Sequence, residues 1–246
     1  MVQIAVNFAL TFYYAVRYIP RFVAPNSGEH QGYREPVRLI AECLPLFISV
    51  LLMNVIINAS KYGIEILMDD TAQGYYNMIF MPAQVINLCS QFLFKPLLNK
   101  YSVAFTENRL SDVKSMLCRQ LALVFGFTIV CCIAAYFLGP QVLGYIYDKD
   151  LSALKSALTL VVFGGGIFAV GQLFFYILVI LRLQNKIMYI YIVSLLATVI
   201  LTGSFVMLLG IVGATLSFIL TQAIVVFGYY VILTRSFKRK LAKQDV

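Results

Sequence analysis

Between Lys186 and Arg235 the chain carries no charged side chain at all. A helix needs about 20 predominantly apolar residues to cross a bilayer, so this one run holds two crossings. Three more charge-free runs lie between Asp70 and Lys95, between Arg119 and Asp148, and between Lys155 and Arg182. Each is long enough for one. A soluble domain draws about 25% of its residues from Asp, Glu, Lys and Arg; here the charged share is 12% and the apolar share 61%. A disordered chain would need low hydrophobicity and high charge. The pattern therefore predicts an all-α fold, a polytopic membrane helix bundle in a cell membrane.

The reversal inside the longest run is expected at Gly210-Ile211-Val212-Gly213, where two glycines permit a tight turn. A further helix starts near Val37, with Glu42 and Pro45 in its first turns, and runs towards Glu65. Residues 1–19 form one more apolar stretch, interrupted only by Arg17. It starts uncharged and ends basic, unlike a cleaved signal peptide. The expected organisation is about seven transmembrane helices: one over 1–19, a cytoplasmic linker over 20–36, a six-helix lobe over 37–234 and a basic tail over 235–246.

Lysine and arginine set an orientation. Of 19 such residues, only Lys61, Lys149 and Lys155 fall on one side; all the others flank the opposite ends of the spans. The positive-inside rule then places the 20–36 loop, the 96–118 loop and the C-terminus in the cytoplasm. This also accounts for the net charge of +8 without nucleic acid as a partner. An odd number of spans leaves Met1 outside, which suggests a missing upstream part. Within the long inner loop, Leu110, Val113 and Leu117 recur at helical spacing among charges. They form either an amphipathic helix on the inner leaflet or the continuation of a span.

The five cysteines show no ligand spacing, and the single histidine, His30, lies in a polar loop. No carboxylate pair, Ser/His/Asp set, phosphate loop or metal motif is present. No enzyme activity, cofactor or metal site is expected.

The informative residues are polar ones inside the spans. On the second helix, Asn54, Asn58, Lys61 and Glu65 fall within an arc of about 60° at helical periodicity. On the third, Gln73, Asn77, Gln84, Asn87, Gln91 and Lys95 fall within about 80°. Polar side chains are costly against lipid, so both faces turn inward. They line a wet cavity for polar cargo, with Lys61 available to an anionic group and Glu65 to balance or titrate it, or they are interhelical hydrogen-bonding glue. For Lys61 and Glu65 the plain alternative is an i, i+4 pair at the interface. Gly164-Gly165-Gly166 and Gly171 on the fifth helix permit either a bend or close packing.

One stretch resembles a known family. Leu44-Pro45-Leu46 through Asn58-Ala59-Ser60-Lys61-Tyr62-Gly63-Ile64-Glu65, then Gly74-Tyr75-Tyr76-Asn77, is similar to the second lobe of bacterial lipid-linked oligosaccharide flippases. These are polysaccharide export proteins of the multidrug/oligosaccharidyl-lipid/polysaccharide superfamily. The resemblance covers roughly residues 35–240, and residues 1–19 would match the last helix of a first lobe. It implies two six-helix lobes around a central cavity, alternating access, and a polyprenyl-diphosphate-linked glycan as cargo. Carried onto this chain, the candidate substrate-binding residues are Asn54, Asn58, Lys61, Glu65, Asn77, Gln84, Asn87 and Gln91. A partial chain would need a first-lobe partner or a homodimer, within membrane lipids. The rivals are a multidrug/cation antiporter of the same superfamily, which needs a buried carboxylate where this sequence has amides, and a non-transporting scaffold fragment. A glycan polymerase would need a large charged outer loop, and the outer loops here are short.

Overall fold

The computed structural model describes residues 34–107 and 109–241, and among them every regular element is helical. In chain order these are α1 (Arg34–Leu67), α2 (Asp70–Phe94), α3 (Leu98–Thr106), α4 (Leu110–Phe137), α5 (Gly139–Tyr147), α6 (Lys155–Ile180) and α7 (Gln184–Leu241). Single 3-10 turns occupy Lys95–Leu97 and Ser152–Leu154. The chain divides into two units, Met1–Glu42 and Cys43–Val246. The expected helix over 1–19, His30, most of the 20–36 linker and the end of the basic tail lie outside the described residues.

Among the described residues, four helices are long and apolar enough to cross a membrane: Leu44–Leu67, Ser111–Phe137, Ser152–Ile180 and Gln184–Phe237. The expected count of seven is not confirmed. The α2 helix, 25 residues long, has the length, but its Gln and Asn residues lower its hydropathy. The run between Arg119 and Asp148 is broken: α4 ends at Phe137, and α5 opens on Gly139-Pro140. Proline lacks the N–H that a continuing helix would need.

The longest run does fold back where its glycines lie. Gly210 has φ 56 and ψ −130, a backbone conformation that a Cβ would strain. On either side of it, Tyr191 meets Tyr229 edge-on at 5.9 Å between ring centroids. Thr198 Oγ1 donates to Thr221 Oγ1 at 3.2 Å, and Thr202 Oγ1 to Ser217 Oγ at 3.3 Å. The partners close in on Gly210 step by step, so the two arms of α7 run antiparallel. A side chain at Gly213 would collide with the Phe205 carbonyl.

The segment Thr106–Gln120 is not a separate surface helix. The α3 helix ends at Thr106, and α4 runs unbroken from Leu110. Its apolar positions are the first turns of α4, with Val113 fully buried. Tyr101 of α3 donates to Gln120 Oε1 of α4 at 2.7 Å. Burial pushes the Tyr101 phenol up to about 12, and Cys118 adds to the rise.

The centre of the bundle is α6. In its apolar 18-residue stretch 67% of positions are buried, against 17% in the corresponding stretch of each of the other three. It packs against α2, α4 and α7. Successive helix residues point about 100° apart, so Gly164, Gly165 and Gly166 face three directions. Each meets a different neighbour: Phe218 of α7, Ala83 of α2 and Thr128 of α4. The helix stays continuous through them, which favours close packing over a bend. The outer surface is apolar: Tyr145, Ile66 and Leu208 are 92%, 80% and 79% exposed. In water such a surface would drive association; hydrocarbon solvates it.

A Cβ built on Gly165 would lie 2.8 Å from the Ala83 Cβ and 2.9 Å from its Cα. Backbone must then move, so Gly165→Ala is expected to destabilise by about 1–3 kcal/mol, the usual cost of overpacking. Gly203 is helical and has nothing within 4 Å of its Cβ direction. Gly203→Ala should stabilise by about 0.5–1 kcal/mol through helix propensity. Thermal unfolding of the two variants in detergent should move in opposite directions, and a shared sign would refute the close-contact account.

Candidate functional site

The close approach of Ala83 to Gly165 fixes α2 against α6 and opens a hollow beside it. A cavity of ≈ 590 Å³ lies between α1, α2 and α6, with Phe218 of α7 also in its wall. Specific ligand pockets span roughly 300–1,000 Å³. From α1 come Asn54 and Asn58, from α2 Gln84, Asn87 and Gln91, and from α6 Gln172 and Tyr176. Asn54 and Gln84 are exposed, Asn58, Asn87 and Gln91 half-buried. Among the described residues, no carboxylate, ammonium or guanidinium side chain is part of the lining.

The local hydrogen bonds decide what these amides offer. Asn54 Nδ2 donates to the Val50 carbonyl at 2.8 Å, and Asn58 Nδ2 to the Asn54 carbonyl at 2.9 Å. One N–H of each NH₂ group is thus engaged one turn back, and the second N–H and the side-chain oxygen remain. Gln172 is 6% exposed, and its Nε2 has only the Met53 sulfur, at 3.1 Å, a weak acceptor. Asn87 Oδ1 is buried with no hydrogen-bond partner among the described residues. A buried unsatisfied acceptor costs about 1–3 kcal/mol.

Apart from the Gln172–Met53 contact, interhelical polar bonds among the described residues lie outside the cavity. They join Ser60 of α1 to Ser217 of α7 at 3.2 Å and link the two arms of α7. Within the cavity, among the described residues, no amide–amide hydrogen bond joins α1 to α2. The bridge between the two stripes runs from Gln73 Nε2 to Glu65 Oε2, at 2.7 Å, outside the cavity lining.

Of the eight residues expected to bind substrate, Asn54, Asn58, Gln84, Asn87 and Gln91 come together here. Lys61, Glu65 and Asn77 are not part of the lining. Lys61 Nζ sits 4.5 Å above the centroid of the Phe80 ring, a cation–π contact, and reaches the cavity only through that ring. Glu65 takes the Gln73 bond rather than pairing with Lys61. Asn77 is exposed. Gln172 and Tyr176 were not expected. Their signal was present: Gln172 is the single amide between Lys155 and Arg182, and Tyr176 stands one turn further along the same face.

No protein-family model, curated protein or solved structure matches this chain.

The cavity should be wet. With the native cysteines replaced by alanine, single cysteines at Asn58, Asn87 and Gln91 are expected to react with a membrane-impermeant maleimide. A cysteine at Phe92, whose ring is 72% exposed on the apolar outside, should stay unlabelled. Ile79, which the periodicity puts on a lipid-facing side, is fully buried and cannot serve as that control. Equal protection at all four sites would mark the amides as dry packing.

Proposed function

We propose that the chain is a transport lobe that moves a glycan-bearing lipid across a cell membrane, with the amide cavity contacting the sugar. The observation that carries this reading is a hollow lined by six amide side chains and one tyrosine, with no charged group among the described residues. Amides offer both a donor and an acceptor. They match the paired hydroxyl chemistry of a neutral sugar and give little to hold a bare cation. The multidrug/cation antiporter reading is disfavoured by the same lining, because no carboxylate is placed to exchange a proton for a cation. Lys61 beside the Phe80 wall is available to a phosphate group at the cavity edge.

Cytoplasmic placement of the C-terminus belongs to this reading and rests on the lysine and arginine distribution. A C-terminal alkaline phosphatase fusion should be inactive and a fluorescent protein fusion bright. The reverse pattern would turn the cavity to face the other way.

Association also belongs to it. Asn54, Asn77 and Gln84 are exposed, and amides left against hydrocarbon are unfavourable. A second copy or a first-lobe chain would cover them and supply the body against which one lobe rocks.

The direct test uses the full chain in liposomes with a synthetic prenyl-diphosphate disaccharide. The glycolipid should protect a cysteine at Gln91 from the maleimide. Asn87→Leu should weaken that protection roughly two- to tenfold, the ratio given by losing one hydrogen bond of about 0.5–1.5 kcal/mol. A lipophilic cation that protects in place of the glycolipid would sink the sugar reading in favour of the antiporter.

A further inference from the structure

A second hollow lies on the other side of α2, and it shares a rim with the first. Its volume is ≈ 490 Å³, bounded by α2, α4, α5 and α6. Among the described residues, its lining holds no charged residue and no amide. Small residues, Ala134, Ala135 and Gly139, leave the space open on one side, and Val142 and Ile146 of α5 form a wall. The break at Gly139-Pro140 is what lets α5 depart from the line of α4. Met81 and Val85 of α2 line both this groove and the amide cavity, and they are 52% and 56% exposed.

We infer that the groove seats one hydrocarbon chain of the same lipid whose sugar occupies the amide cavity, an inference that rests on the glycolipid reading above. Hydrophobicity alone cannot select the occupant, because lipid tails gain nothing by leaving other lipid tails for an apolar wall. Selection comes from the shared rim. A chain covalently attached to a bound head is held next to the groove at a high effective concentration, whereas bulk lipid has no such tether. The polar face of α2 thus reads the head and its apolar face takes the tail, with Met81 and Val85 as the ridge the linkage crosses.

The full chain is reconstituted in nanodiscs of phosphatidylethanolamine and phosphatidylglycerol with one of two photoprobes. One is the prenyl-diphosphate disaccharide carrying a diazirine on the prenyl chain; the other is phosphatidylglycerol with the diazirine at the same depth. After photolysis, peptides covering 127–147 should carry about tenfold more of the glycolipid label at equal mole fraction. Excess soluble disaccharide diphosphate should bring that labelling down to the phospholipid level. Val142→Trp, on the exposed rim, should remove the groove label while the glycolipid still protects a cysteine at Gln91, and Ile146→Trp should repeat the result should the first variant fail to fold. Equal labelling by the two probes, or labelling that the soluble head does not lower, would overturn the inference and assign the groove to bulk lipid. Protection at Gln91 without groove labelling sinks the groove alone. Absence of protection at Gln91 removes the glycolipid reading and this inference with it.

Discussion

The bundle depends on the contact between Gly165 of α6 and Ala83 of α2. With no side chain at one position and a methyl at the other, two helix backbones come closer than any larger pair would allow. That contact draws the amide face of α2 up to α6, so Gln84, Asn87 and Gln91 share a hollow with Gln172 and Tyr176. Gly164 and Gly166 repeat the device towards α7 and α4. The same packing that makes α6 the most buried helix therefore also sets the depth of the cavity.

Much of the helical content was legible because charge-free length and glycine placement are one-dimensional signals. The reversal at Gly210 is the clearest case, since positive φ and a single uncharged run leave little choice. The division of the run between Arg119 and Asp148 was legible only to a reader who weighed Gly139-Pro140 above hydropathy. Of the two polar stripes, Asn54, Asn58, Gln84, Asn87 and Gln91 line one cavity, and Lys61, Glu65 and Asn77 do not. Periodicity fixes the angle of a side chain around its helix, not its distance from a neighbour along the axis. Asn77 and Glu65 fall within the same polar arcs as Asn87 and Asn58, but they lie outside the stretch where α1, α2 and α6 enclose space. Ile79 failed for the complementary reason. The α2 helix is packed on more than one side, by α6 and by α4 and α5, so the face opposite its amides is not simply a lipid face. Gln172 and Tyr176 belong to a helix whose neighbours are chosen by glycine contacts, and no pattern within α2 points to them.

Polar residues in apolar helices have two physical fates, and both occur here. On α7 the hydroxyls of Thr198, Thr202, Ser217 and Thr221 bond across to one another or to Ser60. Each is short, keeps the helices close, and leaves little donor or acceptor capacity over. On α1 and α2 the polar groups are long amides; two donate one N–H to their own helix, and one buried oxygen has no partner among the described residues. Pairing alone does not divide the sets, since Gln172 bonds across to Met53 and Ser194 Oγ and Gln222 Nε2 of α7 have no partner among the described residues; what divides them is that the amides of α1 and α2 line the amide cavity and the α7 hydroxyls do not. The contrast within one chain, where solvent and stability requirements are common to both sets, is what separates a packing role from a binding role. It also predicts which set tolerates change. Thr198→Val should cost stability and leave ligand protection intact, because it deletes an interhelical bond remote from the cavity. Gln91→Leu should do the reverse, weakening protection of a cysteine at Asn58 by the glycolipid with little change in thermal unfolding. A loss of stability of similar size in both variants would show that the amides hold the bundle together after all.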